Sequence, residues 1–128
     1  MHPNTHVNKA QSTNDTIPSA THLAVASELD RIIEGVEVPG DVFAAKAEAF
    51  RHVVKLGRTC WQDVLPHTLG EEFGGYDALM RRLAGKLRAV LPGCFEICVG
   101  GSAVGTGLGA DPGYMDALYR HPSDIYGE

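Results

Sequence analysis

From Leu69 onward, apolar residues recur by alternating steps of four and three: Leu69, Phe73, Tyr76, Met80, Leu83, Leu87 and Val90, with Cys94 and Ile97 continuing the series. Such steps keep every side chain on one stripe of an α-helix, and a stripe this regular is the seam of a helix bundle. Sustained to Ile97, the run predicts a helix about 43 Å long at ~1.5 Å rise per residue. That is more than a small globular domain requires, and it points to a bundle of several chains. Pro92-Gly93 falls inside the run and removes a backbone donor, so a kink or two helices in line are expected there.

Upstream, residues 1–14 have no helical period and are rich in Asn, Ser, Thr and His, which predicts a structured loop. A first helix is expected from a cap at Asp15 or Thr16, with Pro18 tolerated in its first turn. Its apolar face is Val25, Leu29, Ile32, Ile33 and Val36, and Gly35 with Pro39-Gly40 would stop it. A second helix is expected from Asp41 to about Lys55, burying Phe43, Phe50, Val53 and Val54 and ending at Gly57. No stretch shows secure strand alternation, and there is no internal repeat or low-complexity tract. The expected fold class is all-α, a long-helix bundle.

A chain of 128 residues with 44% hydrophobic content is sized for one domain. Its net charge of -5 argues against nucleic acid, whose phosphates call for clustered Lys and Arg. No segment approaches the ~20 apolar residues of a membrane span, and the first residues lack the basic-then-apolar order of a signal peptide. Cys60, Cys94 and Cys98 are odd in number and lack a zinc-like spacing, which fits a reducing, cytoplasmic compartment.

Chemistry-bearing residues gather in three blocks. In the first, Ser12, Thr13 and Asn14 precede a helix start, where hydroxyl and amide donors together with the positive end of the helix dipole suit a carboxylate. An ordinary capping loop has the same composition. The second block is GRTCWQDVLPHTLGEEF, from Gly57 to Phe73, and the third is GGSAVGTGLGADPGY, from Gly100 to Tyr114. The third contains a formal GxGxxA, but it has no preceding strand or acidic partner, so a tight glycine turn is the better account of it than a dinucleotide site. His2 and His6, or Cys94 and Cys98, have a spacing that could ligate a metal in a helix; Pro3 argues against the first pair, and packing of small residues accounts for the second. No metal and no cofactor are expected.

Taken together, the three blocks resemble the fumarase/aspartase superfamily, whose members add or remove water, ammonia or a larger amine across the C–C bond of a succinate-like skeleton. Gly57, Arg58, Thr59, Gln62, Asp63, Pro66, Thr68, Leu69, Gly70 and Glu72 match the second signature region. The resemblance implies that Ser12, Thr13, Asn14 and Thr59 bind the substrate, and that Thr59 and position 60 form the catalytic part of the site. It also implies a secondary anion site at His2 and Asn4, where Thr5 replaces the usual Asp. Residues 1–14 would be a substrate-binding loop closing an N-terminal domain, and 15–128 part of the central helical domain. In that architecture four subunits share one bundle, and each active site draws on three of them. Hydratases of the family carry His at position 60, and here Cys60 offers only a weak donor. It would be a filler in an altered site or, less in keeping with an elimination that needs no covalent intermediate, a nucleophile. His67 does not fall on the family's histidine position and reads as a solvated loop residue.

The resemblance further implies a Gly-Ser-Ser-x-x-Pro-x-Lys-x-Asn loop, carrying the proton-abstracting Ser, beyond Glu128. The expectation is therefore a chain that spans part of the family architecture, is inactive alone, and works within or beside a longer relative. Its expected reaction is the elimination of ammonia from aspartate to give fumarate; Thr13, in place of a second Ser, leans that way. The alternatives are hydration chemistry between malate and fumarate, and an inactive helical protein that oligomerises with itself or with a full-length relative.

Overall fold

The computed structural model describes residues 1–126; Gly127 and Glu128, which close the expected 15–128 segment, lie outside the described residues. In order, the elements are a π-helical turn η1 (Pro3–Val7), helix α1 (Thr13–Ala49), strands β1 (Val54–Thr59) and β2 (Gln62–Thr68), helix α2 (Leu69–Cys94) and helix α3 (Tyr114–Tyr126). Packing divides the chain into two compact units, Met1–Ala26 with the chain from Gly93 on, and Ser27–Pro92.

In the second unit, α1 and α2 form an antiparallel pair. Leu29, Ile33 and Ala84 are its buried centre, with Val36, Leu87 and Leu91 packed against them. Farther along, Phe43 and Phe50 of α1 and of the turn after it meet Phe73, at ring-centroid distances of 6.1 and 5.8 Å. The positions Leu29, Ile33, Val36, Gly40, Phe43, Ala47 and Phe50 follow the same three-four alternation as α2. Two ion pairs flank the seam, Arg88 on Glu37 through both guanidinium nitrogens at 2.6 and 2.7 Å, and Arg81 on Asp41 at 3.1 Å.

The structure corrects the sequence reading at four places. First, α1 is one helix of 37 residues, not two. Pro39 forfeits one backbone bond and crowds the carbonyl four residues back, but that residue is Gly35, around which nothing else packs. Next in the chain, Gly40 is buried, and a Cβ there would stand 3.3 Å from Met80 Cβ, so close helix contact holds the segment helical.

Second, the expected second helix stops at Ala49 and Val54 begins a strand. β1 and β2 pair antiparallel, with Lys55 opposite His67, Leu56 opposite Pro66 and Thr59 opposite Gln62, and a register shift between Leu56 and Arg58. The fold remains a long-helix one with a small hairpin attached.

Third, α2 ends at Cys94, short of Ile97, passing Pro92 in its last turn. The face turned to α1 carries Gly70, Ala84 and Leu91, one residue on from the expected Leu69, Leu83 and Val90. Tyr76, Leu83 and Val90 remain 43%, 39% and 53% exposed. Fourth, the opening loop contains the helical turn η1, capped by His2, whose Nδ1 accepts from the N–H groups of Asn4 and Thr5.

In the first unit, Asp15, Ser19 and Cys94 are buried. There the glycine-rich stretch lies on the first turns of α1, tied by Cys98 and Ser102. His22 Nδ1 meets the Glu96 carbonyl at 2.9 Å.

Candidate functional site

Ser12 is the N-cap of α1. Its Oγ accepts the N–H of Asn14 at 3.1 Å, and its carbonyl accepts those of Asp15 and Thr16. In return, the Asp15 carboxylate accepts the N–H of Ser12 at 3.2 Å. This is a reciprocal capping box built with Asp at the position where Glu is commoner. The helix starts at Thr13, two to three residues before the expected cap, so Thr13 and Asn14 stand in its first turn. The first backbone N–H groups of the helix are largely taken by Ser12. The Ser12 hydroxyl is half-buried, and the side chains of Thr13 and Asn14 are exposed. Those three donors sit at the positive end of a long helix, where an anion is favoured.

The second block forms the hairpin. Thr59 ends β1, and Cys60 and Trp61 are its two-residue turn, both with positive φ, 50° and 62°. That is the geometry of a type I′ turn, which normally takes Asn-Gly. Two bulky side chains held there are strained and project outward, and Trp61 is 97% exposed. The Thr59 hydroxyl points to Cys60 Sγ at 3.9 Å, a weak contact that leaves both available. A cleft of about 850 Å³ runs beside the hairpin, lined among others by Lys55, Arg58, Thr59, His67 and Glu72.

His67 is part of that cleft and lies on β2 opposite Lys55, so the solvated-loop reading is corrected. Its ring lies over Gly57, where a Cβ would come within 3.3 Å of Cδ2. The exposed stretch of hairpin concealed this from the sequence. Glu72 pairs with Lys55 and accepts the Tyr76 hydroxyl at 3.0 Å. The Lys55 ammonium, then the tyrosine hydroxyl, hold its carboxyl below the usual range, and Glu72 in turn raises Tyr76. Arg58 is held by Asp63 at 2.8 Å.

The third block takes its shape from glycines and one serine with positive φ: Gly100, Ser102, Gly105, Gly107 and Gly109. The Gly107 N–H closes the turn on the Gly101 carbonyl at 3.0 Å. A Cβ on Gly100 would run into the Met115 thioether, so the turn also seats the start of α3. At the expected secondary site, the Asn4 and Thr5 N–H groups are occupied by the His2 ring, and the His2 N–H donates to His6 Nδ1 at 2.9 Å. Among the described residues, no three His, Cys, Asp or Glu side chains are grouped to hold a metal ion, and no helix is long and apolar enough to cross a membrane.

The structure therefore brings Ser12, Thr13 and Asn14 together on one turn of the first unit, and Thr59 and Cys60 together at one hairpin end of the second. A family model described as lyase matches residues 1–127. The chain belongs to the fumarase/aspartase lyases. Within that lyase family it is 47% identical over 128 residues to a class II fumarate hydratase of Neisseria meningitidis, covering 99% of this chain and 28% of that one. To an aspartate ammonia-lyase of Bacillus subtilis it is 40% identical over 127 residues, covering 99% and 27%. Among solved structures it superposes on the Brucella melitensis fumarate lyase:delta crystallin with a TM-score of 0.85 at 36% identity, covering 99% of this lyase chain and 28% of that one. The chain thus spans about a quarter of the length of the curated lyases it matches.

Proposed function

We propose that this chain supplies the carboxylate-binding part of a lyase that forms fumarate by elimination, with ammonia leaving from aspartate. The observation that carries the reading is the capped turn at Ser12, Thr13 and Asn14, with its side-chain donors at a helix N-terminus. In the reaction a base removes a proton from Cβ, and the electron pair moves into the adjacent carboxylate to give an enediolate. The C–N bond then breaks and ammonia departs. Donors that strengthen as charge builds on the carboxylate lower the barrier. We assign that role to Ser12, Thr13 and Asn14, and a second substrate contact to Thr59; proton abstraction is not assigned to a side chain of this chain. Residues 1–14 are read as a substrate-binding loop and 15–128 as part of the central bundle. His2 and Asn4 are read as a secondary anion site.

A second reading, water leaving from malate, is favoured by the higher identity to the fumarate hydratase, 47% against 40%. Cys60 takes the same place in both, next to the leaving group, where its thiol is a weak donor. Self-association, or mixing with a longer relative, would cover the exposed row of Tyr76, Leu83 and Val90. Three free thiols support a reducing, cytoplasmic compartment.

The test is ultraviolet detection of fumarate formed from aspartate and from malate, alongside titration of the purified chain with fumarate by amide NMR. Shifts centred on residues 12–14 are the expected result. Their absence at about 10 mM fumarate, a concentration at which even a millimolar Kd would nearly saturate, would overturn the reading. Binding without turnover is the result expected of a chain that supplies the carboxylate-binding part alone, and turnover from one substrate would decide between the two leaving groups.

A further inference from the structure

Asp15 is only 5% exposed, and a buried carboxylate is costly unless its oxygens are hydrogen-bonded. Its Oδ2 accepts two backbone N–H groups from distant parts of the chain, that of Ser12 at 3.2 Å and that of Ser102 at 3.0 Å. Ser102 presents its N–H from a left-handed conformation, φ 55°. The residue before it has no side chain to interfere: a Cβ on Gly101 would stand 3.2 Å from Gly105 Cα and 3.8 Å from Asp15 Oδ1.

A second strand of bonds runs in parallel. Ser19 Oγ donates to the Asp15 carbonyl at 2.7 Å and accepts the Cys98 N–H at 3.2 Å, and Cys98 Sγ donates to the Asn14 carbonyl at 3.2 Å. Residues 98–102 therefore hold the turn at three points: the Asn14 carbonyl, the Asp15 carbonyl by way of Ser19 Oγ, and the Asp15 carboxylate, which also gathers in the Ser12 N–H.

We propose that Asp15 is a positioning residue for dicarboxylate binding, clamping the backbone of the Ser12-Thr13-Asn14 turn to the glycine-rich turn through Ser102 without itself touching the ligand. The proposal rests on the reading of that turn as the carboxylate-binding part of the site. Charge and geometry make opposite demands here, which separates the clamp from a bystander. A carboxylate beside a site for a dianion repels it, so neutralising Asp15 should tighten binding if electrostatics alone were at work. A clamp predicts the reverse for Asp15→Ala, which removes the charge together with Oδ2, the one oxygen that accepts both N–H groups, whereas Asp15→Asn removes the charge and can keep an acceptor oxygen in that place.

The test uses the whole chain, with fumarate as the probe and amide NMR as the readout. In Asp15→Ala, the Kd for fumarate is expected to rise tenfold or more, and amide exchange at Ser12 and Ser102 to quicken together by a similar factor. Exchange elsewhere in α1, at Ile33 for example, should hold. In the unaltered chain, saturating fumarate is expected to slow exchange at Ser102, which the ligand does not touch; this decides the matter if Asp15→Ala does not fold. Binding by Asp15→Ala as tight as, or tighter than, that of the unaltered chain would overturn the clamp, as would Ser102 exchange that ignores fumarate. Failure of the unaltered chain to bind fumarate would instead sink the dicarboxylate reading and the clamp with it.

Discussion

Gly70 packs so closely on the end of α1 that a Cβ there would stand 2.5 Å from the Ala47 carbonyl oxygen and 2.6 Å from Arg51 Cα. Both neighbours are backbone and cannot swing aside. Gly70→Ala is expected to destabilise the chain by roughly 1–3 kcal/mol, the range of overpacking in a close-packed core. Gly85→Ala, with open space around the added methyl, is expected to stabilise it by about 0.5–1 kcal/mol through helix propensity. Urea unfolding of the two variants beside the parent checks both, and a neutral Gly70→Ala would mean that the α1–α2 contact is looser than described.

The hairpin turn offers a gain of the opposite kind. Trp61 has φ 62° with its ring in solvent, so it bears the left-handed strain with no packing in return. Trp61→Gly is expected to raise stability by about 1 kcal/mol, the lower end for a relieved left-handed residue. A lower urea midpoint would show that the indole has a partner.

The ion pair between Glu37 and Arg88 sets a pH dependence. The Arg88 guanidinium, bonded through both nitrogens, holds the Glu37 carboxyl below its ordinary 4.5. A carboxyl depressed in the folded state adds stability that is present above the unfolded value. That stability is lost as the pH falls through the folded value. Glu37→Gln is therefore expected to be slightly less stable than the parent above about pH 4.5, by the small amount that a partly exposed pair allows, and to converge with it at lower pH, which flattens the acid side of its profile. Urea midpoints measured from about pH 7 down to about pH 3 test this, and profiles that fall in parallel would count against it.

Binding and capping separate on the first block. Asn14→Ala is expected to weaken fumarate binding about tenfold or more, as loss of a bond to a charged group does, with little change in stability. Ser12→Ala should do both, costing in addition about 1 kcal/mol as the N-cap is lost. Titration and melting of the same samples distinguish them, and equal effects of the two variants on stability would contradict the cap assignment.

The long-helix fold was legible because α2 writes its period in Leu, Phe, Met and Val. The continuity of α1 was not, since Gly35, Pro39 and Gly40 are local stop signals that packing against α2, at Met80 among other residues, overrides. The hairpin was hidden for another reason: Val54, Leu56, Val64 and Leu65 are exposed, so no burial imposes alternation on the strands, and Cys60-Trp61 carries no turn signature. At the candidate site the gathering of Ser12, Thr13 and Asn14 at a helix start was readable, and so in principle was the bond from the Ser12 N–H to Asp15, because Ser12-x-x-Asp15 has capping-box spacing. The cleft through Lys55, His67 and Glu72 was not, because it depends on a strand pairing that the sequence does not announce.

The capping of α1 also limits what the turn will accept. Ser12 Oγ already takes the Asn14 N–H and keeps its hydroxyl hydrogen for a partner, and Thr13 and Asn14 add a hydroxyl and an amide beside it. All three groups are uncharged and can accept as well as donate. Under the proposed reading, preference for the salt over the acid or the amide of the same carbon skeleton therefore comes from the positive end of α1 and is graded rather than absolute.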